Sequence, residues 1–303
     1  MANLLQDKVA IVTGSGRGIG RGIAMLMAEQ GAKVVVVDPG VNVDGTGADN
    51  SFAGSVVSEI KQAGGEATAC LESVVTMDGG ERIVQTAVEN YGKLDIVVTC
   101  AGILRDRMVF NMSEEEWDDV IAVHLKGTFS VVKHACILYR QQRSGRIITF
   151  TSVSGLYGNS GQANYGAAKA GITALTLSAA RALERFGVRA NAIAPRARTA
   201  MTAGVFGDAP ELSDGAVAPL SPEHVVNLVR FLASPASEAV NGQLFIVYGP
   251  TVTLIAAPTA ERQFSADGEI WEPAQLSEEL RSYFADRDPE RSFSAAMGLG
   301  DRD

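Results

Sequence analysis

The stretch "KVAIVTGSGRGIGRGIAMLMAEQG" constrains the fold more than any other part of the chain. After Lys8, residues to Thr13 form an apolar, largely β-branched run with no polar alternation, the pattern of a strand buried on both faces of a parallel sheet. Glycines break the run at 14, 16, 18, 20 and 22. An amphipathic pattern then continues to Gly31, where a glycine can end a helix. A buried strand reaches a parallel neighbour only through a crossover, and this helix supplies one. "KVVVVD" (33–38) is the next strand of the same kind.

The alternation persists. Residues 39–50 are rich in Gly, Asp and Asn and read as a loop, and a helix follows to about Ala63. "EATACLESV" is a weaker third strand, "GGERIVQTAVENYG" a helix and "LDIVVTCAG" a fourth strand. A long helix is predicted over 113–140, opened by a capping box of Ser113 and Glu116. "GRIITFTS", a helix over 162–186, "VRANAIAP", a loop over 196–220, the helix "SPEHVVNLVRFLAS" and the strand "GQLFIVYG" complete the series. The expected fold is α/β: a doubly wound, Rossmann-type parallel sheet of about seven strands with helices on both faces. Residues 1–249 form one domain in this reading. Residues 250–303 break the pattern, with Pro258, Pro273 and one helical run near "PAQLSEELRSYFA". They read as a C-terminal extension packed on the same domain or on a neighbouring subunit.

Composition narrows the function classes. With 46% hydrophobic residues the chain can bury a large core, and a net charge of -9 without a long Lys/Arg run argues against nucleic acid or an anionic membrane as partner. Three Cys without a CxxC pair and three scattered His predict neither a disulfide framework nor a metal site. The N-terminus lacks a signal-peptide pattern and no apolar run approaches the ~18 residues of a membrane span, so the expectation is a soluble, cytoplasmic protein.

Two constellations carry the chemistry. In "TGSGRGIG", Gly14, Gly18 and Gly20 let the backbone turn tightly and let a pyrophosphate approach the N-terminus of the following helix. Asp38, at the end of the second strand, can accept hydrogen bonds from the adenosine ribose and would repel a 2′-phosphate, favouring NAD(H) over NADP(H). Arg17 could offset that repulsion, and an ordinary strand-end Asp is the alternative reading. The second constellation is "SVSGLYGNSGQANYGAAKAG". Tyr165 and Lys169, four residues apart, share a helix face. A lysine ammonium beside the phenol would lower its pKa from ~10 and let it act as general acid and base. Ser152 follows the fifth strand, at the same carboxyl edge of the sheet. A core tyrosine with a snorkelling lysine is the alternative.

Together these residues resemble the short-chain dehydrogenase/reductase family over 7–249. "TGSGRGIG" matches its TGxxxGxG loop, and Ser152, Tyr165 and Lys169 match its Ser…YxxxK signature. The resemblance implies that Tyr165 gives or takes the hydroxyl proton. It implies that Lys169 lowers the Tyr165 pKa and binds the nicotinamide ribose, and that Ser152 orients the substrate oxygen. It implies cofactor contacts from Gly14, Ser15, Arg17, Gly18, Ile19, Gly20, Asp38, Ser73, Val74, Cys100, Ala101, Gly102, Tyr165, Lys169, Pro195, Ala197 and Thr199. The helices 113–140 and 162–186 would form a homodimer or homotetramer face. "AGILRDRM", "VHLKGTF" and "NAIAPRARTAMT" are similar to the 3-hydroxyacyl-CoA dehydrogenase module of peroxisomal multifunctional enzymes and its bacterial relatives. That similarity implies a coenzyme A ester substrate, with an acyl group that could be bulky or steroid-derived.

The chain departs from the family pattern at four places. Thr99-Cys100 stands for Asn-Asn, Ser73 for an adenine-contacting Asp, His124 for the Asn of a proton relay, and Arg196 for a Gly. His124 could hold a relay water, pass a proton itself or simply pack in its helix. Arg196 or Arg198 could meet a substrate phosphate or remain a solvated loop arginine. The cysteines read as small buried residues, and the 196–220 loop as the shaper of substrate selectivity. Two other readings stay open: a non-catalytic dinucleotide sensor or subunit, and a Rossmann-like methyltransferase, which has no use for the Tyr/Lys pair.

Overall fold

The computed structural model describes residues 3–47, 49–199, 201–202 and 217–285. The chain begins β1 (Val9–Thr13), α1 (Gly18–Glu29), β2 (Lys33–Val37), α2 (Ser51–Gln62), β3 (Glu66–Cys70), α3 (Met77–Tyr91) and β4 (Ile96–Thr99). It continues α4 (Glu114–Ile121), α5 (Gly127–Gln142), β5 (Gly145–Phe150), α6 (Val153–Tyr157), α7 (Ala163–Leu183) and β6 (Val188–Arg196). It closes with α8 (Pro222–Ala233), β7 (Leu244–Tyr248), β8 (Thr251–Leu254) and α9 (Pro273–Ala285).

The strands form one sheet in the order β3-β2-β1-β4-β5-β6-β7-β8. All pairs are parallel except β7–β8, which is antiparallel. Every β1 side chain is buried, and they alternate between two cores. Ala10 and Val12 pack with α1, α2 and α8 on one face. Val9 and Ile11 pack with α3, α5 and α7 on the other. A strand covered on both faces has no position for a polar side chain, which is why β1 and β2 read as unbroken apolar runs.

Three features differ from the sequence expectation. The sheet has eight strands rather than about seven, because the chain turns back at Gly249-Pro250 and pairs Tyr248 with Thr251. Gly249, at φ +53°, supplies the positive φ that the first position of a two-residue hairpin turn requires. β8 is exposed along its whole length, so no burial pattern marked it. Next, the long helix starts at its capping box, with Glu116 N–H donating to Ser113 Oγ at 3.1 Å and Ser113 N–H to Glu116 Oε2 at 2.9 Å. A π-helical turn over Ala122–Lys126 separates α4 from α5, and His124 sits in it. Finally, this helix is long and apolar enough, by length and composition, to cross a membrane. Its Val131, Val132, Ala135 and Tyr139 are buried in the core beside α3, and a core helix passes the same test. Parts of the 196–220 loop and of the C-terminal extension, 203–216 and 286–303, lie outside the described residues.

The chain builds outward from β1 to β3 and then returns to β4 on the other side of β1. Open α/β sheets bind ligands at such a reversal, at the carboxyl ends of the strands. The candidate residues converge there.

Candidate active site

The floor of the cleft is the turn from β1 into α1. Gly14 (φ +64°) and Gly18 (φ +55°) are left-handed, and a Cβ on Gly14 would stand 2.7 Å from Ala101 Cα. A Cβ on Gly20 would stand 2.2 Å from the Gly14 carbonyl oxygen. Among the described residues Arg17 does not cap α1 through its side chain and the first turn carries no acid, so the orphan amides of that helix end are left to a ligand or water. This cradle fits a pyrophosphate. Ser15 is fully buried; its hydroxyl donates to the Val12 carbonyl at 2.6 Å and accepts from Val37 N–H at 3.0 Å. It ties β1 to β2 and does not line the cleft.

Asp38 is oriented by the loops on either side. Its Oδ2 accepts from Gly16 N–H and its Oδ1 from Gly40 N–H, both at 2.8 Å. A Cβ on Gly16 would reach Asp38 Oδ2 at 2.7 Å, so the glycine makes this approach possible. Arg17 has other partners. Its guanidinium donates to the Val41 carbonyl and lies 4.3 Å from the Phe52 ring centroid.

The wall opposite is α7, fastened to β5 by polar contacts. Thr149 and Thr176 hydroxyls lie 2.7 Å apart, and Thr151 Oγ1 donates to the Lys169 carbonyl at 2.8 Å. Asn164, fully buried, donates to the Arg105 and Glu116 carbonyls at 3.0 and 2.9 Å and accepts from Tyr165 N–H at 2.7 Å. These bonds fix the rotation of α7 that turns Tyr165 and Lys169 toward the cleft. Lys169 Nζ donates to the Phe150 carbonyl at 2.7 Å and stands 5.4 Å from the Tyr165 ring centroid.

Here the sequence expectation is corrected. The Tyr165 hydroxyl is pushed up to about 12 by burial, opposed by a hydrogen bond from Ser152 and reinforced by Asp106. Burial likewise pulls Lys169 down to about 8. Lys169 is engaged by the ring face and a carbonyl, and desolvation dominates the shift of the phenol.

His124 is buried, edge-on to Tyr165 with ring centroids 5.1 Å apart. Its Nε2 lies 3.1 Å from Ile103 N and 2.8 Å from the Ile103 carbonyl oxygen, while Nδ1 is buried without a partner among the described residues. A Cβ on Gly102 would stand 2.3 Å from His124 Cε1, so the glycine makes room for the ring. Burial first, and the Lys169 charge second, push the imidazole down to about 3. It is neutral near pH 7. Unfolded, it binds its proton near 6.5 and folded only near 3, so stability is complete above about 6.5 and falls as pH drops through that window. Melting temperatures between about pH 4 and about pH 7 should therefore fall more steeply for the wild type than for His124→Asn. Parallel profiles would show that the imidazole protonates in place.

One cavity of about 500 Å³ is lined by Gly14, Arg17, Gly18, Ile19, Gly20, Asp38, Ser73, Val74, Cys100, Ala101, Gly102, His124, Tyr165, Lys169, Pro195 and Thr199. Ser152, Ser15 and Ala197 are not among its lining residues, although Ser152 bonds to Tyr165 and caps α6. Ser73 Oγ accepts from Val75 N–H at 3.4 Å, which leaves its proton to donate. Burial pushes the Cys100 thiol up, which fits an inert packing residue. The Arg196 guanidinium lies 5.0 Å from the Tyr248 ring centroid. Sequence reasoning missed Asn164, whose role depends on two distant carbonyls. It also missed Val41, Asn42, Val43 and Gly45, which line the cavity from the 39–50 loop.

A glycine cradle at the sheet reversal, an acid at the end of β2, a serine capping α6 and a Tyr–Lys pair on α7 define a dinucleotide-dependent oxidoreductase. The short chain dehydrogenase family model matches residues 8–208, and the chain belongs to that family. It is 54% identical to hydroxyacyl-CoA dehydrogenase ChsB1 of Mycobacterium tuberculosis, over 96% of this chain and 93% of that one. It is 43% identical to peroxisomal multifunctional enzyme type 2 of Mus musculus, over 79% of this chain but only 31% of that longer protein. The crystal structure of a short chain dehydrogenase from Mycobacterium avium superposes with a TM-score of 0.82 at 42% identity, covering 94% of this chain and 97% of that one. The protein is thus an NAD(P)-dependent oxidoreductase, which sets aside both the methyltransferase reading and the non-catalytic one.

Proposed function

We propose that the chain interconverts 3-hydroxyacyl-CoA and 3-ketoacyl-CoA esters with NAD(H). The Tyr165–Lys169 pair lining the cleft, with Ser152 acting on the Tyr165 hydroxyl, carries the reaction type. The similarity to ChsB1 along nearly the whole chain carries the ester class. Tyr165 is protonated near pH 7, as a group pushed up to about 12 must be, and it donates that proton to the carbonyl oxygen in the reducing direction. Ser152, bonded to Tyr165, orients the same oxygen. Lys169, held by the Phe150 carbonyl, faces the ribose side and stabilises the phenolate formed on proton transfer. Bound nicotinamide supplies the hydride chemistry.

The cofactor preference rests on Asp38. Its carboxylate is fixed by two backbone donors and cannot swing clear of a 2′-phosphate, while Arg17 is engaged by Val41 and Phe52 and does not offset it.

The test is oxidation of NADH and NADPH, run in parallel against 3-ketoacyl-CoA esters from short chains to steroid-derived ones. NADH should support turnover with kcat/KM at least about tenfold above NADPH, a difference near 1.4 kcal/mol. No turnover with any ester, alongside reduction of simple ketones, would sink the ester reading. NADPH preference would sink the role given to Asp38.

A further inference from the structure

Residues 39–47 leave β2 beside Asp38 and reach the turn that follows β4. The base of the excursion is closed by Asp49 N–H donating to the Gly40 carbonyl at 2.8 Å. The tip is closed by Asn42 N–H donating to the Thr46 carbonyl at 2.7 Å. Between them the segment docks on the turn that follows β4. Leu104 N–H donates to the Val43 carbonyl at 2.9 Å. Gly45 packs so closely that a Cβ there would stand 3.1 Å from Ile103 Cδ1. Val41 joins the small apolar cluster of Ile103, Val120 and Ala168 that also holds Tyr165. The Asp44 carboxyl is held below its usual value first by the Thr46 hydroxyl and amide, and further by the Arg105 charge. Arg105 is itself paired with Asp119 at 2.9 Å.

The segment therefore crosses the cleft. Val41, Asn42, Val43 and Gly45 line the same cavity as the glycine loop beneath them and as Tyr165 and Lys169 beyond them. A ligand reaching from Asp38 to Tyr165 passes under it.

We propose that residues 40–47 are a strap forming an additional wall of the dinucleotide site, which must undock from Ile103–Arg105 for the cofactor to enter and leave. The proposal rests on the cleft being the dinucleotide site, not on any acyl substrate. Among the described residues the docking contacts on Ile103–Arg105 are one backbone bond, one glycine contact, one valine and the exposed Asp44–Arg105 attraction, and Arg17 adds a donation to the Val41 carbonyl. That is the kind of latch a loop opens on the microsecond to millisecond scale.

The tip can be excised where it is already closed. Replacing Val43-Asp44-Gly45 by Gly-Gly shortens the tip by one residue, which draws the carbonyl that meets Leu104 and the backbone against Ile103 out of position, across ends that the Asn42–Thr46 bond holds together. Val41→Ser loosens the apolar contact instead. Release of NADH, or of NADPH if that binds the wild type more tightly, is followed by stopped-flow fluorescence with no ester present. Exchange of the Leu104 amide is read in parallel. Release should quicken at least about tenfold in the tip variant and less in Val41→Ser, with Leu104 losing protection in both. Release within about twofold of wild type, despite an exposed Leu104 amide, would overturn the strap. So would a Leu104 amide as protected in the tip variant as in the wild type, because docking would then not depend on the tip.

Discussion

Tyr165→Phe should lose turnover by about 10²–10⁴-fold, the range a positioned general acid contributes, while binding NADH as the wild type does. The substitution removes one oxygen and keeps the ring. The edge contact to His124 and the face beneath Lys169 are contacts of the ring, so both survive. The Lys169 bond to the Phe150 carbonyl does not involve the phenol and should hold the lysine in place. Ser152 loses that interaction and keeps its capping bond to the Ser154 amide. The measurement pairs kcat/KM on the best ester with a fluorescence titration of NADH. A variant keeping more than about a tenth of the wild-type rate would mean that another group delivers the proton. A variant that fails to bind NADH would mean that the phenol is part of the cofactor site.

Gly20→Ala should be a severely damaging substitution for the cofactor cradle. The added methyl would meet the Gly14 carbonyl oxygen at 2.2 Å, its carbon at 2.9 Å and Ser15 Cα at 3.0 Å. All three atoms are backbone, so no side-chain rotation relieves the clash. The turn must open or α1 must shift, and either spoils the cradle. A stability loss of at least about 2 kcal/mol is expected, within the range for overpacking. NADH affinity should fall at least about a hundredfold, equal to ~2.7 kcal/mol. Gly22→Ala, two residues on, is the control. Its methyl would meet only Val226 Cγ2, at 3.1 Å, and a valine side chain can give way. Equal melting temperatures and equal NADH affinities for the two variants would show that the loop is far more plastic than its close contacts imply.

What was legible in the sequence was local. The strand runs, the glycine spacing, the Ser113–Glu116 capping box and the four-residue step from Tyr165 to Lys169 each concern neighbours along the chain. Their geometry follows from secondary structure alone. The strap was not legible because its partner, Leu104, lies some sixty residues away and offers a backbone amide, which every residue has. Asn164 escaped for the same reason. The upward shift of Tyr165 escaped because burial depends on everything packed around the ring, whereas the neighbouring lysine is visible in the sequence. β8 escaped through too strict a demand for a buried pattern; the Gly249-Pro250 turn signal was present, but the strand is an exposed edge. Ser15 erred in the opposite direction, since its place in the glycine loop suggested the cleft while its hydroxyl holds two strand ends together.

The π turn at Ala122–Lys126 works as a phase shifter between two halves of one rod. A π turn is equivalent to one residue added to an α-helix, and each residue advances the helix by about 100°. Upstream of the turn, Val120 faces the cluster around Ile103 and Ala168; downstream, Val131, Val132, Ala135 and Tyr139 face the core beside α3. Both sets cannot meet their partners on one uninterrupted α-helix of this length. Winding the same residues as a continuous α-helix would swing one of the two apolar faces into water, whereas deleting a single residue between 122 and 126 would let the rod run straight with both faces kept. The turn that brings His124 to the cleft is also what allows one helix to serve both the site and the core.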